Sequence, residues 1–134
     1  MIAIITTAGY KRLFTKVRVM HVSIQQRDCS LTKVEIQGRL DAVTAPEFET
    51  AFQELTKQDK IVLIDTSKLD YISSAGLRVF LALTKQSKQM DRTLVIHSLQ
   101  EAVLRVFQVS GFEKILTLCA TESEAQELID KVKA

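Results

Sequence analysis

The chain has no tryptophan, one proline, four glycines and two cysteines in 134 residues, and aromatic side chains make up only 6% of it. Each shortage excludes something. So few aromatics argue against stacking platforms for single-stranded nucleic acid. A single proline and four scattered glycines leave no long flexible linker. Gly9, Gly38, Gly76 and Gly111 stand too far apart for a dinucleotide-binding or phosphate-cradling loop. Cys29 and Cys119 lack the CxxC spacing of a redox pair, so both read as buried small apolar residues of a reduced, cytoplasmic protein. His21 and His97 belong to no HxxxH or Cys/His cluster. Each therefore reads as a partly buried histidine with a backbone partner, and neither a metal nor a cofactor is expected. There is no GxSxG elbow, and the chain reads as a non-enzyme. Charges interrupt every apolar stretch before the roughly 18 residues a membrane span needs. Lys+Arg 18 against Asp+Glu 16 gives a net charge of +2. That balance looks too even, and too evenly spread, for a nucleic-acid binder.

What is present suits one ordinary domain: 46% hydrophobic and 25% charged residues, close to average globular usage. The segment Met1 to Lys16 opens apolar and ends basic, the reverse of a secretory signal. Met20 offers a second start. Residues 1–19 are therefore set apart as an N-terminal extension whose structure, and whose part in a homodimer contact, the sequence leaves open. Residues 20–134 form the domain.

From Val22 the pattern becomes regular. Val22, Ile24, Val34 and Ile36 alternate with polar residues across a turn-compatible 27–32, which predicts a strand hairpin. Thr44-Ala45-Pro46-Glu47 fits a capping box ahead of a helix with Phe48, Ala51, Phe52 and Leu55 on one face, running to about Gln58. Lys60 to Asp65 is a short apolar run of the kind buried on both faces of a parallel sheet. Residues 66–72 read as a connection, and Ala75 to about Met90 as a mostly buried helix. A second buried strand, Thr93 to His97, precedes another capping box, Ser98 to Glu101, and a helix with Leu99, Val103, Val106 and Phe107 on one face. Gly111 is placed as its C-cap. Lys114 to Cys119 reads as the last strand. Thr121 to Glu124 caps a final helix carrying Ala125, Leu128, Ile129 and Val132. The order predicts an α/β fold: one mixed sheet of about four to five strands with about four helices packed on it.

One junction stands out: Asp65-Thr66-Ser67-Lys68-Leu69-Asp70-Tyr71-Ile72-Ser73-Ser74-Ala75-Gly76-Leu77-Arg78. Two serines sit where a buried helix begins. Serine is a favoured N-cap, so one of them can serve only to satisfy helix N–H groups. Small, uncharged Ala75 and Gly76 would leave the other N–H groups uncovered, however, and an open helix N-terminus beside a hydroxyl suits an anion. The two readings stay open at this point. Asp41, taken by itself, reads as an Asx-type turn residue or an alternative helix cap.

The motifs carry a family resemblance. Val34-Glu35-Ile36-Gln37-Gly38-Arg39-Leu40-Asp41-Ala42-Val43-Thr44-Ala45 resembles the opening motif of STAS domains, the bacterial anti-sigma-factor antagonists. Asp65-Thr66-Ser67 with Tyr71 to Leu77 is similar to the family's phosphorylation-site motif, and Val106 to Phe112 to a third motif. The resemblance covers about Met20 to Ala134 and implies a single STAS-like domain. It implies phosphorylation of Ser74 by a partner anti-sigma factor that is itself a serine kinase, with Ser73 as second choice. Many members carry aspartate where this chain has Ser73. The resemblance places Asp41, Thr44, Asp70, Ser73, Ser74, Ala75, Gly76 and Leu77 on the partner-binding surface. It also implies a metal-dependent serine phosphatase acting on the phosphorylated form, in a partner-switching pathway that controls transcription. A second implied role is that of a STAS regulatory subunit in a lipid or anion transport system. Neither direct nucleic-acid binding nor a membrane span is implied.

Overall fold

The fold is taken from a computed structural model, which describes residues 2–7, 10–17, 20–27, 31–56 and 60–133. In chain order it comprises β1 (Ile2–Thr7), β2 (Tyr10–Val17), β3 (Met20–Arg27), β4 (Leu31–Leu40), α1 (Ala45–Leu55), β5 (Ile61–Ile72), α2 (Ser74–Gln89), β6 (Thr93–His97), α3 (Glu101–Ser110), a 3₁₀ turn (Phe112–Lys114), β7 (Leu118–Cys119) and α4 (Glu122–Lys133). The strands form one sheet in the order β1-β2-β3-β4-β5-β6-β7. Pairing is antiparallel from β1 to β4 and parallel from β4 to β7. From β3 onward this is the expected mixed sheet of five strands with four helices. The segment before Met20 adds a hairpin, β1–β2, hydrogen-bonded to β3.

Both faces of the central strands are covered. Val62 and Ile64 join a cluster with Val22, Ile24, Val34 and Ile36 beneath α1, α2 and α3. Ile61 and Leu63 turn the other way, to Leu31, Val95 and the Ala125 and Ile129 of α4. Alternation along β5 thus feeds two cores, as its uninterrupted apolar run predicts. On the larger side four fully buried rings stack in a row, Phe52, Phe48, Phe80 and Phe107, with centroids 5.8, 5.7 and 5.8 Å apart. Such pairs contribute beyond their buried area.

Several local expectations need correction. Residues 66–72 are not a loose connection: β5 continues through them, twelve residues long, paired to the second half of β4 with two register shifts. Asp65 and Ser67 suggested a turn, and Asp65 Oδ1 does accept the Ser67 N–H at 2.9 Å, but the ladder with β4 prevails. The strand foreseen over Lys114 to Cys119 shrinks to Leu118–Cys119. After Gly111, in the left-handed conformation expected of a C-cap (φ 78°), the N–H groups of Ile115 and Leu116 both donate to the Phe112 carbonyl. That tight turn carries Leu116 into the core and consumes the residues the strand needed. The capping boxes also differ. Thr44 and Gln100 stand at the N-caps of α1 and α3, and neither caps with its side chain. Thr121 does accept the Glu124 N–H at 3.2 Å, while the Glu124 carboxylate reaches back to the Ala120 N–H. Cys119 is half-buried, its thiol pushed up by burial and then by Glu124; Cys29 lies outside the described residues. His97 is buried, its ring nitrogen Nδ1 2.8 Å from the Ser98 hydroxyl.

Val22 and Ile24 of β3 are fully buried, so a chain beginning at Met20 keeps every core side chain found among the described residues. It is expected to unfold cooperatively in urea, with a somewhat lower midpoint because α1 also lies over β2. A molten or insoluble product would instead make β1–β2 a requirement of folding.

Candidate functional site

The site forms where two adjacent parallel strands end together. Leu40, the last residue of β4, pairs with Ile72, the last of β5, so Asp41 and Ser73 emerge side by side at the carboxyl edge of the sheet. In open α/β sheets this edge, at the start of the following helices, is where ligands are met. The Ser73 N–H donates to the Leu40 carbonyl at 2.9 Å and ties the two loops.

The Asp41 loop is closed on itself. Its carboxylate Oδ1 accepts the Val43 and Thr44 N–H groups at 3.0 and 3.1 Å. Those contacts, the Thr44 N–H first, hold the Asp41 carboxyl below the usual carboxylate range. Asp41 is therefore ionised at neutral pH. Thr44 is buried and braces the turn: its hydroxyl donates to the Arg39 carbonyl and accepts the Asp41 N–H, each at 2.9 Å.

Ser73 and Ser74 differ in what their hydroxyls do. Ser73 is the N-cap of α2 and its Oγ accepts the Gly76 N–H at 3.4 Å. Ser74 is the first helical residue; it is exposed, and its hydroxyl has no hydrogen-bond partner among the described residues. The first turn of α2 carries no acidic side chain, whereas those of α1, α3 and α4 do. The positive end of the α2 dipole therefore meets no carboxylate from its own first turn.

Gly76 was expected to uncover backbone N–H groups; its role in the structure is different. It is buried, and a Cβ there would lie 2.7 Å from Ile72 Cγ1, 2.8 Å from Leu40 Cγ and 2.8 Å from the Leu40 carbonyl oxygen. Glycine lets the start of α2 seat directly on the ends of β4 and β5. Ala75 is half-buried against the core and Leu77 is part of it. Asp70 is exposed on the β6 flank of β5, where Gln100 Nε2 bonds its Oδ1 at 3.2 Å and the Ser67 carbonyl at 2.9 Å. The structure thus gathers Asp41, Thr44, Ser73, Ser74, Ala75 and Gly76 around one junction, with Asp70 anchored to the neighbouring connection.

Sequence reasoning passed over two exposed neighbours. Val43 in the Asp41 loop is 55% exposed, a β-branched apolar residue in a turn, and that misplacement was the available signal. Arg78 is exposed one turn along α2 from Ser74, on the same helix face by i, i+4 spacing. Elsewhere, a hollow of about 340 Å³ between α3 and β7 is lined by Leu99, Leu104, Glu113, Leu118, Cys119 and Ala120, none of them a predicted site residue. Among the described residues, no three His, Cys, Asp or Glu side chains gather as a metal site, and no helix is long and apolar enough to cross a membrane.

Comparison with known proteins bears on this geometry. The family model for the STAS domain matches residues 21–125. The anti-sigma-B factor antagonist of Listeria monocytogenes is 31% identical over 104 residues, spanning 77% of this chain and 91% of the relative. Among solved structures, the Bacillus cell fate determinant SpoIIAA in its phosphorylated form superposes with a TM-score of 0.58 at 15% identity, over 81% of this chain and 98% of that one. The murine Solute Carrier 26 family member A9 anion transporter superposes with a TM-score of 0.71 at 13% identity, over 79% of this chain but 18% of the transporter.

Proposed function

The chain belongs to the STAS domain family, and from that premise we propose that it is a phosphorylation-regulated anti-sigma-factor antagonist acting in the cytoplasm. Its partner in this reading is an anti-sigma factor with serine-kinase activity. The observation that carries the proposal is the contrast at the junction: Ser73 caps α2, while Ser74 presents at its first position an exposed hydroxyl with no partner among the described residues. A kinase needs a reachable nucleophilic oxygen whose loss does not unravel the helix, and Ser74 meets both conditions.

Unmodified, the surface formed by Asp41, Val43, Ser74 and Arg78 docks the partner and releases the sigma factor it holds. Gly76 and Leu77 set the position of that surface from beneath, and Thr44 fixes its loop. Phosphorylation adds about −1.5 to −2 charges at pH 7 beside the ionised Asp41. The α2 dipole favours the phosphate within the chain, while like charge and desolvation oppose docking. A metal-dependent serine phosphatase would restore the docking form. A regulatory subunit of a transporter has less support. The transporter likeness is one of fold at 13% identity, whereas the antagonist relative is matched over 91% of its length.

The test is a binding experiment with the cognate anti-sigma factor. The unmodified chain is expected to bind it and displace sigma factor, and the chain phosphorylated by that factor is expected to do neither. The purified chain alone, given ATP and magnesium, is expected to show no turnover and no self-modification. Equal binding by both forms, or hydrolysis that survives stringent purification, would sink the proposal.

A further inference from the structure

Both edges of the sheet are strands, and they differ. At one edge β7 has two residues, too short to template another chain. At the other edge β1, Ile2-Ala3-Ile4-Ile5-Thr6-Thr7, has six, or about 20 Å of backbone. Natural edge strands are guarded by lysine, proline, a bulge or short length. β1 has no charge, no proline and an unbroken register with β2. Alternate N–H and C=O groups along it point away from β2.

We infer that this edge pairs with β1 of a second copy of the chain, antiparallel about a two-fold axis, to give one continuous sheet of two domains. The strand is complementary to itself: such pairing sets only isoleucine, alanine and threonine positions opposite one another, with no charge on either side. The nearest charged positions, Lys11, Arg12 and Lys16, sit one strand behind, on β2. The first 27 residues carry Lys11, Arg12, Lys16, Arg18 and Arg27 and no acidic residue, so the basic residues are less evenly spread than the overall balance suggests. In the paired arrangement the two β2 strands stand three strand spacings apart, about 14 Å, beyond the roughly 8 Å screening length at physiological salt. Their repulsion is therefore weak. An anionic membrane is the rival occupant of so basic a hairpin. Strand alternation places positions 12 and 16 on one face of β2 and position 11 on the other, so the basic positions of that strand are divided between the two faces. The paired edge also lies three strands from β4, so the Ser74 junction stays free.

Sedimentation of the full chain over roughly 1 to 500 μM is expected to show a monomer–dimer equilibrium with its midpoint between about 1 and 100 μM, the range of a small interface. Ile4→Lys is expected to raise that midpoint at least tenfold with an unchanged circular dichroism spectrum, and Ser74→Ala to leave it alone. Hydrogen exchange on the unmodified chain needs no variant. Amides of Ile2–Thr7 are expected to gain protection as concentration rises. A chain that stays monomeric, a dimer in which residues 2–7 gain no protection, or a dimer indifferent to Ile4→Lys would overturn the inference. So would a monomer that co-sediments with phosphatidylglycerol vesicles.

Discussion

Replacing Ser74 with alanine is expected to abolish phosphate transfer to the chain while leaving it folded and able to bind its partner. Ser74 is exposed and its hydroxyl bonds nothing among the described residues, so the substitution falls within the ±0.5 kcal/mol or so typical of surface positions. Ser73→Ala is the control with the opposite profile. It removes the α2 cap, at about 0.5–2 kcal/mol, and the long 3.4 Å contact to the Gly76 N–H points to the lower end; modification at Ser74 should persist. Ser74→Asp places a carboxylate at the positive end of the helix, worth about 0.3–1 kcal/mol in stability. The same charge should weaken partner binding tenfold or more, about 1.4 kcal/mol, though a carboxylate carries less charge than a phosphate. Intact-mass spectrometry after incubation with the cognate kinase, with calorimetric titration of each variant, separates these outcomes. Phosphate on Ser73, or retained on the Ser74→Ala chain, would move the site.

Gly76→Ala is expected to lower stability although alanine is the better helix former by about 1 kcal/mol. The added methyl would meet Ile72 Cγ1, Leu40 Cγ and the Leu40 carbonyl oxygen at 2.7–2.8 Å. Side chains can yield, but the carbonyl is held by its bond from the Ser73 N–H. Overpacking of this kind costs about 1–3 kcal/mol, so a net loss of about 1–2 is expected for alanine and more for Gly76→Val. Lifting α2 off the strand ends would also displace Ser73 and Ser74, so partner affinity should fall with stability. Urea unfolding reads the first effect and titration the second. An alanine variant as stable as the parent would show that the junction has slack.

These effects indicate how far the sequence could be read. The amphipathic helices, the buried strands and the left-handed Gly111 follow from local spacing, and the structure has them. The far half of β5 was hidden because Asp65, Ser67 and Asp70 carry turn chemistry, and only pairing with a distant β4 makes a strand of them. Gly76 was read as an opening when it is a close contact, since nothing near it in the chain reveals that Leu40 lies against it. Thr44 was read as a cap when it braces the Asp41 turn, for the same reason: its acceptor, the Arg39 carbonyl, depends on how β4 ends. The difference between Ser73 and Ser74 likewise needed the backbone, because a serine suits either position.

The length of β5 has a consequence for motion. Residues 61–65 are flanked by β4 and β6, while 66–72 are laddered to β4 alone, with Thr66 and Ser67 tied laterally to His97 and Gln100. The strand therefore has a doubly held root and a singly held tip, and the tip delivers Ser73 and Ser74. Opening that tip breaks one ladder instead of two but draws Leu69 and Ile72 out of the larger core, so it requires less free energy than global unfolding without being free of a packing cost. Ser73 and Ser74 are mounted at the end of a cantilever with a packed underside: one ladder and two core side chains, Leu69 and Ile72, set the geometry in which they are presented.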